Sequence, residues 1–269
     1  MSKLFLNGLL NKDKQVLVPL LETYFSRGVF PDEIPVVVHT NKTKDTAFHP
    51  SSHTGCARTV YADMAGDYVK PKPTAGLQRT FHIGHLLHGW LQELFVDMGL
   101  CAESDVEQLH RRSSTGDVLT PDVPFEELSD ILEPLMASGG WWAQGAIDIA
   151  RCRIPEHGDY IVDFKTVRGM AMREENPFGG FREKYENQMQ VYMDWTGIDR
   201  AILLAVGKDT PHGFKEIIVE RDPSKAEAIY ERWDTIAAAL VSGNPPVCTC
   251  SDPASCDTRG LYGKPTATL

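Results

Sequence analysis

Apolar residues recur at two different periods along this chain, and the changes of period mark out its elements. In residues 12–27, Val16, Leu20, Leu21 and Tyr24 fall at helical spacing and Gly28 follows, which predicts an amphipathic helix with a glycine stop. A short apolar run, Val36-Val37-Val38, comes next. The turn cluster Ser51-Ser52-His53-Thr54-Gly55 can cap a helix from about Cys56 to Ala65. A longer helix is expected over 80–98, with Leu87, Leu91, Leu94 and Met98 as its stripe and Gly99 beyond its end. Residues 101–140 carry a weaker pattern: a strand near 105–110 and a short helix near 125–137.

From residue 141 the period shortens. Residues 141–153 read as a strand, Pro155 to Asp159 as a turn and 160–167 as a second strand. Gly169, Pro177, Gly179 and Gly180 make 168–180 a loop, and 181–196 returns to helical spacing. Residues 201–206 and 214–219 are short apolar strands. A last helix starts after Asp222-Pro223 and runs to about Val241, with Ile229, Trp233, Ile236 and Leu240 on one stripe. Helices flanking a central group of strands make the expected fold α/β with α+β character.

Polar residues interrupt this pattern at places where a core would not need them. Side chains two apart on a strand share a face, so Asp163 and Lys165 point together and Phe164 packs opposite. Asp148 lies on the preceding strand, and Ile147 and Ile149 are expected to point together to the other face. Buried without partners, two carboxylates and an ammonium would be costly. A bound Mg²⁺ or Mn²⁺, which prefers oxygen ligands, would make sense of them. A surface ion pair on an edge strand is the alternative for Asp163 and Lys165; the apolar Ile161, Val162 and Val167 argue for a central strand. On the helix from 181, Phe181, Tyr185, Gln188, Tyr192 and Trp195 share a face. Gln188 there is either a satisfied core amide or part of a site. Gly84 and His88 are one helical turn apart, with His85 nearby; the strong alternative is that His82, His85 and His88 are ordinary half-exposed histidines.

Composition narrows the classes. The formal net charge is −10, whereas proteins that grip duplex DNA by neutralising phosphates are usually basic. Any DNA path must then be a local strip. Arg111, Arg112 and the run Lys165, Arg168, Arg173, Arg182 and Lys184 are candidates, and a solvated charged face serves equally for each alone. No stretch approaches the roughly 20 apolar residues a membrane span needs, and the first residues lack a signal-peptide core, so a soluble cytoplasmic protein is expected. The six cysteines are Cys56, Cys101, Cys152, Cys248, Cys250 and Cys256. Three of them crowd into a region of prolines and glycines where irregular structure is expected, which points to metal ligation more than to packing or disulfides.

In order along the chain, Gly84–His88 forms G-x-x-x-H, Gly145–Asp148 forms G-x-x-D, Asp163–Lys165 forms D-x-K and Gln188–Tyr192 forms Q-x-x-x-Y. With Cys56-Ala57-Arg58 and Tyr61 before them and three cysteines after, the set resembles the RecB-like branch of the PD-(D/E)XK nuclease superfamily. That branch includes AddB-type nuclease domains and CRISPR-associated exonucleases with an iron–sulfur cluster. The likeness runs from about residue 54 to 257. It departs at Cys248-x-Cys250, where the family more often has C-x-x-C, and residues 1–50 match nothing in it.

The resemblance implies a restriction-endonuclease-like core, a central mixed sheet flanked by helices, with an iron–sulfur-stapled C-terminal subregion. It implies an N-terminal extension over 1–50, a nuclease domain over 51–257 and a flexible tail over 258–269. Asp148, Asp163, Lys165, Gln188 and Tyr192 would be catalytic. His88, Asp148, Asp163 and the Phe164 backbone carbonyl would hold Mg²⁺ or Mn²⁺. Cys56, Cys248, Cys250 and Cys256 would hold a [4Fe–4S] cluster, with zinc as the alternative, while Cys101 and Cys152 are left as small packing residues. Arg58, Arg168, Arg173, Arg182 and Lys184 would meet DNA. The implied activity is a metal-dependent DNA exonuclease acting on single strands or duplex ends, in phage or CRISPR-type processing. A homo-oligomer or a recombination or CRISPR protein is a further partner it allows. A non-cleaving DNA-binding partner of the same fold and a structure-specific endonuclease are the other readings.

Overall fold

The structure, a computed structural model, describes residues 15–27, 46–68, 73–116, 125–209, 213–248, 250, 256, 258 and 260–262. The run Val36–Val38, the Gly28 stop and the start of the first expected helix lie outside these residues. The described elements follow in the order α1 (Val18–Ser26), α2 (Ala57–Ala65), α3 (Ala75–Asp97), β1 (Val106–Ser113), α4 (Phe125–Ala137), β2 (Trp142–Ile154), β3 (Gly158–Val167), α5 (Arg182–Thr196), β4 (Arg200–Gly207), β5 (Phe214–Glu220) and α6 (Pro223–Ser242).

The strands form one five-stranded sheet in the order β1-β2-β3-β4-β5. All neighbours are antiparallel except β3 and β4, which pair in parallel with Asp163 beside Leu203 and Lys165 beside Ala205. A parallel pair needs a crossover, and α5 is carried in it. β3 is therefore a central strand, which removes the edge-strand reading of Asp163 and Lys165. The fold is α/β, a mixed sheet flanked by helices, as the pattern predicted.

Each face has its own core. On one, Leu91, Leu94 and Phe95 of α3, with Leu17, Val18 and Leu21 at α1, pack on Ile149, Val162, Phe164, Ile202 and Leu204. On the other, Met189, Tyr192 and Met193 of α5 cover Ile147, Ile161, Ala201, Leu203 and Ala205. Each such fully buried large side chain contributes roughly 1.5–3 kcal/mol. A third cluster joins α2 and α6 around Trp233, whose indole N–H donates to the His53 carbonyl at 2.7 Å.

Two local features differ from the periodicity. α3 begins at Ala75 rather than near 80, because the Thr74 side chain accepts from the Leu77 N–H and caps it. Its first turns carry no core stripe, with Leu77, Phe81 and Ile83 all exposed, so apolar spacing could not find them. In β2, Ile147 packs under α5 but Ile149 packs under α3. The expected alternation around Asp148 is thus broken, and a register shift follows between Ile149 and Cys152.

Candidate active site

The four motifs meet where β2 and β3 part. The ladder runs from Ile154↔Gly158 to Ile149↔Val162, and continuing that register sets Asp148 opposite Asp163. There a carboxylate replaces strand backbone as the acceptor: Asp148 Oδ2 takes the Phe164 N–H at 2.8 Å. Asp148 Oδ1 faces His88 Nδ1 of α3 at 3.2 Å. The His88 ring meets Phe164 edge-on at 5.7 Å. Gly84 brings this part of α3 onto β3, since a Cβ there would stand 3.1 Å from Thr166 Oγ1.

From the other face α5 reaches the same fork. Gln188 Nε2 donates to Asp163 Oδ1 at 3.1 Å and to the Tyr192 hydroxyl at 3.2 Å. The Tyr192 hydroxyl donates to the Ala146 carbonyl at 3.0 Å. Lys165 Nζ donates to Gln188 Oε1 at 3.3 Å and lies 4.7 Å from the centre of the Tyr185 ring. Gln188 thus has partners for both ends of its amide, and those partners are the other candidate site residues. The expected stripe ends at Tyr185, because Phe181 lies in a 3-10 turn before the helix and is exposed. Gly145 makes room for Tyr192: a Cβ there would sit 2.8 Å from both the hydroxyl and Cε1 of that ring.

The charges are unevenly balanced. Burial opposes ionisation of Asp148, but the His88 charge and hydrogen bond, with Lys165 and the Phe164 N–H, hold its carboxyl below the usual range. Burial pushes Asp163 up against the pull of Lys165, and the Asp148 charge adds to the rise. Burial likewise works against Lys165, and the two carboxylates overcome it, so its ammonium stays charged. Lys165 Nζ lies 2.5 Å from Asp163 Oδ2, yet that buried oxygen has no aligned hydrogen bond. The pair is a contact of charges more than a directional bond. A buried carboxylate raised beside a second carboxylate, with one ammonium shared between the two, marks a site short of positive charge. The donors present, carboxylate oxygens and one imidazole, fit Mg²⁺ or Mn²⁺. The Phe164 peptide takes part through its N–H.

These groups line an open cleft of about 300 Å³. Sequence reasoning assigned no site role to five other residues on its walls: His49, Ser51, Gly89, Gln92 and Glu107. Glu107 could be found only through the pairing of β1 with β2. Of the expected basic contacts, Arg168, Arg173 and Arg182 are exposed and Lys184 is half-buried, all between β3 and the first turn of α5. Arg182 pairs with Glu186 at 2.7 Å. Arg58, expected at DNA, is instead buried, its Nε donating to the Pro246 carbonyl at 3.0 Å. Arg112 is held by Asp194 at 2.8 Å.

A second site stands at the start of α2. The thiols of Cys56, Cys248, Cys250 and Cys256 all lie within 4.8 Å of one another. Cys56 Sγ is 3.7 Å from Cys248 Sγ and 4.0 Å from Cys256 Sγ. Thr59 and Thr258 hydroxyls approach Cys256 Sγ at 3.5 and 3.3 Å. Burial opposes a thiolate there, and the two hydroxyls outweigh it, so the Cys256 thiol lies below its usual range. Bonds of about 2.3 Å to one tetrahedral ion put the sulfurs about 3.8 Å apart. The spacing fits a single thiophilic ion; a four-iron cluster with one thiolate per iron occupies more room between the sulfurs. Cys101 and Cys152 are not part of this group.

No family model matches the sequence, and no curated protein matches it. Among solved structures it is similar to SSO0001, at 12% identity over 90% of this chain and 92% of that one, with a TM-score of 0.40. It is also similar to a phage-related exonuclease from Haemophilus somnus 129PT, at 14% identity over 73% of this chain and 96% of that one, with a TM-score of 0.34. Likenesses at these values do not carry the chemistry, which rests on the side chains themselves.

Proposed function

We propose that the protein is a metal-dependent deoxyribonuclease of the RecB-like branch, an exonuclease hydrolysing phosphodiester bonds at single strands or duplex ends. One observation carries this reading: Asp148, Asp163 and Lys165 converge in the fork of β2 and β3, and Gln188 ties the last two together. Asp148, Asp163, His88 and the Phe164 carbonyl are the proposed metal ligands. A bound Mg²⁺ or Mn²⁺ would lower the pKa of a water and polarise a phosphoryl oxygen. Lys165, kept charged by two carboxylates, orients that water and faces the negative charge that grows on the phosphate. Gln188 fixes the Lys165 ammonium against Asp163, and Tyr192 anchors the amide to β2. Arg168, Arg173, Arg182 and Lys184, on the segment from the end of β3 to the first turn of α5, are the proposed contacts to the backbone of the DNA strand.

The nuclease unit is assigned to 51–257, acting in the cytoplasm in phage or CRISPR-type DNA processing. The cysteines hold a structural metal. Their spacing favours one tetrahedral ion such as zinc, while the iron–sulfur cluster implied by the resemblance requires the thiols to separate.

Digestion of end-labelled single- and double-stranded DNA with Mg²⁺ or Mn²⁺ tests the activity. Removing a group that acts only in the reaction should cost at least 10²-fold, so Asp163→Ala and Lys165→Ala should lose cleavage by that much or more while keeping the wild-type circular dichroism. Full activity in a clean Asp163→Ala preparation would sink the reading. DNA binding without cleavage by the wild type would leave the non-catalytic partner in its place.

A further inference from the structure

The fork contains a third carboxylate. Val106 pairs with Ile149 and Gln108 with Ile147, so the register of β1 on β2 sets Glu107 opposite Asp148. Neither residue keeps regular strand geometry, so what joins them is the cleft they both face. Glu107 and Asp148 line the same cleft, with Asp163 and His88. Glu107 also has a φ of 47°, one of only two non-glycine residues in the left-handed region among those described. Such backbone is costly for a residue with a Cβ and tends to persist where surrounding structure or function demands it.

Charge gives the position a purpose. Asp148 and Asp163 already share one ammonium, Lys165. Glu107 adds a third carboxylate to the same cleft, which a divalent cation prefers. Asp148 already has an oxygen on His88 and another on the Phe164 N–H. Asp163 has one on Gln188, and its buried Oδ2 lacks an aligned donor. The exposed Glu107 carboxylate is the acidic group of the cleft with no such commitment.

We infer that Glu107 is a further metal-binding carboxylate, which completes the cation site from the β1 side. The inference rests on the metal-dependent reading above.

Mn²⁺ titration of the full chain, followed by the electron paramagnetic resonance of free Mn²⁺, tests it without reference to cleavage. The wild type should bind. Glu107→Gln should bind at least 10-fold more weakly, with unchanged circular dichroism, and Glu107→Asp should recover part of the loss. Glu107→Gly separates ligation from backbone: glycine relieves the left-handed φ, so the metal-free variant should melt at or above the wild-type temperature and still bind Mn²⁺ poorly. Wild-type affinity, within twofold, in both Glu107→Gln and Glu107→Gly overturns the role of Glu107 and leaves the nuclease reading standing. Absence of Mn²⁺ binding in the wild type, with Mg²⁺ failing to compete, overturns the metal-dependent reading itself and Glu107 with it.

Discussion

Two glycines set how closely the helices carry their functional side chains to the strands, and they differ in how much room they leave. A Cβ at Gly145 would press on the Tyr192 hydroxyl and Cε1 at 2.8 Å, closer than real Cβ contacts come, in a ring that is only 1% exposed. Gly145→Ala should push Tyr192 off the Ala146 carbonyl and destabilise the protein by about 1–3 kcal/mol, the usual range for overpacking. Because the cost is a clash with one partner, it should largely vanish in a Tyr192→Ala background, giving strong non-additivity in a double-mutant cycle read by denaturant unfolding. Additive effects would show that Gly145 serves something other than Tyr192. Gly84→Ala meets a single hydroxyl, Thr166 Oγ1 at 3.1 Å, and a few tenths of an ångström relieve it. The G-x-x-D and G-x-x-x-H spacings thus have separate physical causes, a fully buried aromatic ring in one case and the edge of a strand in the other.

At the scale of elements, the parts visible in the sequence were those whose signals are local. The β2–β3 hairpin, the D-x-K alternation and the α5 stripe all follow from period; the structure keeps the first two, and the stripe from Tyr185 onward. Glu107 went unseen because its place depends on strand pairing across residues 107 and 148, and a left-handed glutamate has no composition signal. The phase change at Asp148 was hidden for the same reason: Ile147 and Ile149 are equally apolar, and only the packing reveals that they serve different cores. Glu216 is a third such case. Its carboxylate on β5 accepts the N–H of Val16, Leu17 (2.9 Å) and Val18 (3.0 Å), satisfying free amides at the start of α1. Glu216→Ala should cost about 1–2 kcal/mol, as for a lost helix cap, and should speed hydrogen exchange across residues 16–21. Unchanged exchange there would mean that α1 is held by its apolar side alone. Burial outweighs the three N–H groups and raises the Glu216 carboxyl above its usual 4.5. The folded chain therefore holds this proton more tightly than the unfolded one. The resulting stability is full below pH 4.5 and is lost as pH rises through the raised value. Glu216→Gln should remove that part of the slope from a pH series of unfolding midpoints.

Across the whole molecule, the cysteine site joins segments far apart in sequence: Cys56 meets Cys248 across 192 positions. α2, which Cys56 precedes, packs against α6 through Val60, Tyr61, Ile229, Trp233 and Ile236, and the chain after α6 returns to the start of α2. A bound metal would close a loop containing the whole sheet and the candidate active site. Closing so long a loop restricts the unfolded chain strongly, by about 5 kcal/mol on the chain-entropy scale used for disulfides, so metal loss should be felt as global stability. Cys56→Ala and Cys256→Ala should each lower the melting temperature and lose the bound metal. Cys101→Ala lies outside the cluster and should leave metal content unchanged. Elemental analysis of protein purified without oxygen separates the two occupants: one zinc per chain and no colour for a single tetrahedral ion, against about four irons and a brown solution for a [4Fe–4S] cluster. Retention of wild-type metal content by Cys56→Ala would remove the staple altogether. None of the four thiols lines the cleft at the fork of β2 and β3, so a metal-stripped chain that still folds at low temperature should regain Mn²⁺ binding at Asp148 and Asp163 before it regains thermal stability. Loss of both together would show that the cysteine site shapes the fork as well as closing the chain around it.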